Sequence, residues 1–322
     1  MPKPKQNPVL TSTRFVIDHA EHVQINRNKI ESYSKTFQIP RHTNWMEESF
    51  DLSHLNEEEK IMMCVVFNSI SFSYWGDPYW SVEYHGISYD RASWSMVAAI
   101  LRSKEEGKNI LDPKILSVLT KEELGVILLG NTEIPLLEER KSILNLVGNI
   151  ILTKYDGSFL NLLRDAKGDA LLLVDTIIND FAPAFDDRYI YKEQEIIFNK
   201  RAQALVESIN SMFGANGPGS FDNIEQLSGL ADYVLPNLLR HLGILEYSQE
   251  LSHLIDNKVV LEKGSNYEIE IRASVIWAIE FIKQSVQELH GRVLSASAIN
   301  DNLWLKGGKV ITPFHLVQTT AY

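Results

Sequence analysis

Apolar residues recur three or four positions apart, with charged residues between them, over 57–70, 93–101, 135–152, 170–181, 202–213 and 273–289. That spacing returns side chains to one face of a helix with about 3.6 residues per turn, so each segment carries an apolar stripe that must be covered. Such stripes are covered by packing helices on one another, and the same template predicts about ten helices. Pro113 and Pro135 suit first-turn positions, while Gly130, Gly148, Gly157 and Gly243 suit helix ends or points of close packing. Two stretches break the period. Residues 81–89 alternate polar and apolar around His85-Gly86, and 259–271 do so around Gly264-Ser265-Asn266, each predicting a short hairpin. Two hairpins make no substantial sheet, so the expected class is mainly α with short β-hairpins rimming a compact helical body. No Pro/Gly/Ser-rich linker divides the chain. Residues 1–25 read as a flexible N-terminal tail and lead-in, and 26–322 as a single compact helical domain.

Composition narrows the function. A net charge of -11, from 31 basic and 42 acidic residues, repels polyanions and argues against direct nucleic-acid binding. The single cysteine, Cys64, excludes an internal disulfide and multi-thiolate zinc sites, which fits a reducing compartment. With no apolar leader core, and no run of about 18 apolar residues, the reading is a cytoplasmic protein without a membrane span. There is no phosphate-binding loop of the G-x-x-x-x-G-K type, and Gly214, Gly217 and Gly219 have the wrong spacing for a dinucleotide fingerprint. A G-x-S-x-G elbow is missing too. His19 and His22 lack a third ligand nearby, and Asp186-Asp187 suits a loop turn. Neither a metal nor a cofactor is expected.

Three segments could carry chemistry. Phe72, Tyr74, Trp75, Tyr79, Trp80, Tyr84, Tyr89 and Trp94 are far denser than the 10% aromatic average of the chain. Their flat faces suit a heterocyclic base, although an aromatic-rich core uses the same residues. In Asn199-Lys200-Arg201-Ala202-Gln203, an Asn cap followed by two cations at a helix start makes a local anion site, or else a solvated first turn. Cations there are unfavourable unless an anion is near. In Leu230-Ala231-Asp232-Tyr233-Val234-Leu235-Pro236, Pro236 suits a first turn, which puts Asp232 just before the helix's positive end. Its carboxylate is expected to stay ionised, either as a cap or as a stabiliser of a sugar cation.

Five blocks in order, FNSISFSYWGDPYWSVEYHGISYDRASWSMVAAI, PLLEERKSILNLVGNIILTKYDGSFLNLL, FNKRAQALV, LADYVLPNLLRHLGILEYSQEL and EIEIRASVIWAIEFI, resemble the queuosine salvage proteins, the queuosine 5'-phosphate N-glycosylase/hydrolases. The resemblance covers roughly residues 60 to 315. It implies an all-α fold with small β additions, similar to helix-hairpin-helix DNA glycosylases. The implied reaction is hydrolysis of the N-glycosidic bond of queuosine 5'-phosphate, releasing queuine, a modified 7-deazaguanine reused in tRNA modification.

Carried onto matching positions, the resemblance implies that Asp232 is the catalytic carboxylate and Lys200, with Arg201 beside it, a phosphate contact. Phe72, Trp75 and Tyr233 would enclose the base, Arg272 and Trp277 would line the pocket, and Glu138 or Glu139 would receive the cationic side-chain amine of queuine. A 7-deazapurine cannot be protonated at position 7, so more of the barrier must be lowered at the sugar, which suits an anionic Asp232. The tail departs from the family pattern: His315 is followed by Gln318 and Ala321-Tyr322, and Asn300 stands where the D-x-x-L-W stretch has its acid. Two other readings stay open at this point, a glycosylase acting on bases within nucleic acid and a non-catalytic nucleotide-binding helical protein.

Overall fold

The computed structural model describes residues 7–38, 44–307 and 313–322. The first half runs α1 (Pro8–His19), β1 (Val23–Ile25), α2 (Arg27–Lys35), α3 (Trp45–Ser49), α4 (Glu57–Ser69), β2 (Val82–Tyr84), β3 (Ile87–Tyr89), α5 (Ala92–Glu105), α6 (Pro113–Leu116), α7 (Lys121–Ile127) and α8 (Leu137–Lys154). The second half runs α9 (Phe159–Ala166), α10 (Ala170–Asp180), β4 (Arg188–Tyr191), β5 (Gln194–Ile197), α11 (Lys200–Met212), α12 (Val234–His241), β6 (Leu245–Tyr247), α13 (Gln249–Asp256), β7 (Val260–Leu261), α14 (Asn266–His290), α15 (Ala296–Gly307) and β8 (Leu316–Val317). The strands form only two-stranded pairs: β1–β6, β2–β3 and β4–β5 antiparallel, β7–β8 parallel. Helix packing therefore carries the fold. No helix among the described residues is long and apolar enough to cross a membrane.

Local chemistry sets the helix starts. Asn56 and Glu59 form a reciprocal capping box at α4, and Thr120 and Glu123 do so at α7. Beyond its acidic first turn, α4 is buried from Ile61 to Ser69, so it forms the axis of one apolar core together with α5, α8, α9 and α10. A second core is built around α14, with α1, α2, α12, α13 and α15. Ala202, Leu205, Val206 and Ile209 turn one face of α11 into the first core. Its opposite face borders a cavity between the two.

Two expectations differ from the structure, and one element was not foreseen. Residues 259–271 are not a hairpin: Val260–Leu261 pairs in parallel with Leu316–Val317, and Ser265 caps α14 by accepting the Glu268 N–H. The Tyr267–Ile271 alternation fits a strand, but the Ser-x-x-Glu start and the apolar residues that follow continue as a helix. A hairpin instead spans Arg188–Tyr191 and Gln194–Ile197, turning through Lys192 and Glu193 at positive φ. Residues 8–25 are built into the body, since Val9 and Val16 are buried in the second core and Val23–Ile25 pairs with β6. The 81–89 hairpin is present as expected.

Gly148 is a point of close packing in mid-helix. A Cβ there would lie 2.6 Å from the Ser117 N and 2.8 Å from both the Leu116 Cβ and the Pro113 O, because α6 crosses α8 at this residue. Gly148→Ala should therefore destabilise the chain by about 1–3 kcal/mol despite Ala's better helix propensity. Thermal unfolding checks this, with a Tm lower by several degrees expected.

Candidate active site

The start of α11 is held by an acid from a preceding loop. Asn199 is left-handed at φ 50° and makes no side-chain cap, contrary to the capping role expected of it. Instead the Asp187 Oδ2 accepts the Lys200 backbone N–H at 3.0 Å. Both Asp187 oxygens also accept from Arg272, at 2.7 Å each, in a bidentate pair with no solvent on the guanidinium. Burial works against the Arg272 charge, but Asp187 more than offsets it and the pKa is raised. The guanidinium also lies over the rings of Phe198 (4.0 Å) and Tyr322 (4.5 Å). One ion pair thus ties α14, α11 and the end of the chain together.

Two further buried cations shape the aromatic wall. Arg201 donates to the carbonyls of Ser69 and Ala184, and Arg140 donates to those of Ile70, Phe72 and Ser73. Their guanidiniums lie 5.3 Å and 4.3 Å from the Phe72 ring. Burial pushes both pKa values down to about 10, which leaves the groups charged at neutral pH. The non-helical stretch after α4 is therefore fixed by side chains supplying the donors that regular structure would otherwise provide.

Asp232 precedes α12, and its Oδ1 accepts the N–H groups of Val234 and Leu235 at 2.9 Å each. Burial raises its pKa, while Lys200 and these backbone donors pull it back down. Lys200 feels the reciprocal effect: burial lowers its pKa and Asp232 opposes this. Both line one cavity of about 360 Å³, together with Phe72, Tyr74 and Tyr233. Tyr233 stacks on Phe314, with ring centroids 4.9 Å apart. A second aromatic group lines the cavity too: Trp94 and Trp304 stack at 5.1 Å and 7°, and Trp45 tilts against both. The volume suits one small heterocyclic molecule.

Of the residues singled out from the sequence, Phe72, Lys200, Asp232 and Tyr233 are brought together on this cavity. Tyr74, Tyr79 and Trp94 of the aromatic cluster line it as well, whereas the remaining candidates do not. Trp75 donates its Nε1–H to the Val317 carbonyl at 3.3 Å. Glu138 is exposed and pairs with Lys141 at 2.8 Å, with Glu139 exposed beside it. Arg201 and Arg272 are spent on buried carbonyls and on Asp187, and Trp277 donates to the Thr13 Oγ1 on the far side of the second core. The cavity also holds Glu207, Asp301, Asn237 and Asn300, none of which sequence reasoning had selected for a role. Asn300 accepts the Leu230 N–H at 3.0 Å, and Tyr322, from the divergent tail, is part of the lining. Among the described residues no group of three or more His, Cys, Asp or Glu could hold a metal ion.

A helical body in which an acid and a cation, Asp232 and Lys200, line an aromatic-walled cavity has the form of a small-molecule-binding protein. Residues 52–321 match the family model described as queuosine salvage protein, and the chain belongs to that family. A protein of Sphaerobacter thermophilus is 32% identical over 98% of this chain and 97% of its own length. One of Mus musculus is 32% identical over 86% and 84%, and one of Dictyostelium discoideum is 28% identical over 98% of both. All three are named queuosine 5'-phosphate N-glycosylase/hydrolase.

The Asp187–Arg272 pair yields a direct test of the architecture. Arg272→Met keeps an unbranched apolar stem but removes the guanidinium and strands a buried carboxylate, and should cost about 3–5 kcal/mol. Urea unfolding measures this. A loss below about 1 kcal/mol would mean that the pair does not organise the site.

Proposed function

We propose that this chain hydrolyses the N-glycosidic bond of queuosine 5'-phosphate in the cytoplasm, giving queuine and ribose 5-phosphate. The observation that carries the reading is that Asp232 and Lys200 line the same cavity and shift each other's charge. In this reading Lys200 holds the phosphate, and Phe72 and Tyr233 enclose the base. The Asp232 carboxylate stabilises the positive charge that develops at C1' as the base departs. Water adds to C1', the bond to the base nitrogen breaks, and the base leaves with a proton. Protonation at position 7 is closed to a 7-deazapurine, so charge stabilisation on the sugar side must do more than in ordinary purine hydrolysis. Family membership and the relatives' shared name support the assignment. The net charge of -11 weighs against a nucleic-acid substrate. Similarity of the helical body to helix-hairpin-helix DNA glycosylases and a single-domain organisation belong to the same proposal.

The primary test is incubation with queuosine 5'-phosphate followed by chromatography for free queuine; binding without release would sink the reading. Asp232→Asn, which removes charge without changing volume, should fold normally and lower kcat by about 10³-fold or more. Because burial raises the Asp232 pKa, the acid limb of the pH profile of kcat/KM should lie above the ordinary aspartate value of 3.8.

Lys200→Ala should chiefly raise KM for the phosphorylated substrate and matter less for the free nucleoside. It also removes the cation that opposes burial, so the Asp232 carboxyl should protonate more readily and the acid limb should move to higher pH. Equal losses on both substrates, with an unmoved acid limb, would contradict the phosphate role.

A further inference from the structure

The cavity lining contains three acids that the chemistry above does not use, Asp90, which neighbours Arg91 in the lining, Glu207 and Asp301. Glu207 lies on α11, seven residues beyond Lys200, and Asp301 comes from α15; both are in the lining. Glu207 is 8% exposed, and its Oε1 is buried without a hydrogen-bond partner. An acceptor in that position is costly unless a ligand brings the donor. Burial raises the Glu207 pKa well above its usual range and Asp301 adds to this, while the Ser297 hydroxyl and Lys200 act in the opposite direction. Asp301 has interactions of its own within the fold, so the unmet demand is that of Glu207.

Distance assigns the ligand end that meets it. Seven residues of helix span about 10 Å, so Glu207 stands that far along the wall from Lys200, comparable to the reach of a nucleoside monophosphate from its phosphate to the outer part of its base. Two neighbouring acids suit a cation better than a neutral base edge, because a positive group relieves the repulsion that a neutral one leaves in place. We propose that Glu207, with Asp301 beside it, is the specificity-determining residue of the site and accepts hydrogen bonds from the cationic side-chain amine that separates queuine from plain 7-deazaguanine. The inference rests on the substrate proposed above and transfers to Glu207 the role that the sequence suggested for the exposed Glu138 and Glu139.

Calorimetric titration of the full chain with queuine and with 7-deazaguanine tests it. The native chain should prefer queuine by about tenfold or more, as a charge-assisted hydrogen bond allows. Glu207→Gln should cut that preference by about tenfold, while Glu207→Asp, which keeps the charge on a shorter arm, should retain part of it. Equal affinity of the native chain for both bases overturns the proposal, whether or not the variants fold. So does an equal loss for both bases in a Glu207→Gln protein whose melting temperature is unchanged, since that outcome assigns Glu207 to the shared base edge or to the fold. The readout is binding, so failure to release queuine from queuosine 5'-phosphate would count against the proposed reaction and leave this measurement decisive for Glu207.

Discussion

The carboxylate of Asp187 is the tie on which the site depends. It takes two N–H groups from a guanidinium without solvent and one from the first backbone amide of α11. Buried charges are tolerated when paired, and here Asp187 satisfies both terminal guanidinium nitrogens of Arg272 on α14 while also holding the first amide of α11; only the Arg272 Nε is left without a partner. Because the acid comes from the loop before β4, the β4–β5 hairpin, α11 and α14 are fixed relative to one another. Lys200 inherits its position from that arrangement. Arg140 and Arg201 apply the same principle to the chain after α4, where backbone carbonyls rather than an acid satisfy the cation.

Electrostatics inside the cavity follow from burial. Asp232, Glu207 and Lys200 are each pushed toward neutrality by loss of water, and each is partly restored by a neighbour of opposite sign or by backbone donors. In the lining the acids Asp90, Glu207, Asp232 and Asp301 outnumber the cations Lys200 and Arg91, so the balance is completed by what enters. A ligand carrying a phosphate at one end and an amine at the other complements both ends, which a purely anionic nucleotide would not do.

Much of the helical frame was legible in the sequence, because apolar stripes and capping residues are local. The hairpin at 188–197 was not, since its turn residues Lys192 and Glu193 adopt positive φ without the Gly or Asn that normally announces it. The Tyr267–Ile271 stretch misled for a related reason: a five-residue alternation is compatible with both periods until the cap at Ser265 is weighed. At the site, Lys200, Asp232, Tyr233 and Phe72 were found through motif blocks. Glu207 and Asp301 were passed over because a single acid on an amphipathic helix looks like a solvated one. Arg272 and Arg201 were given to the ligand because sequence cannot reveal that Asp187 occupies the first and two carbonyls the second. The one available signal for Glu207 was its seven-residue offset from Lys200, which returns it to the same helical face.

Along that face Ala204, Ser208 and Ser211 accompany Lys200 and Glu207 in bordering the cavity, and all three are small. They set the clearance beneath whatever lies there. Bulk added at any of them would make the chamber shallower while leaving both charged ends in place, and the opposite face of α11, locked into the first core, would register no change. The helix thus separates how deep the chamber is from what it recognises, so selection could retune the thickness of the accepted ring system one residue at a time without rebuilding the scaffold.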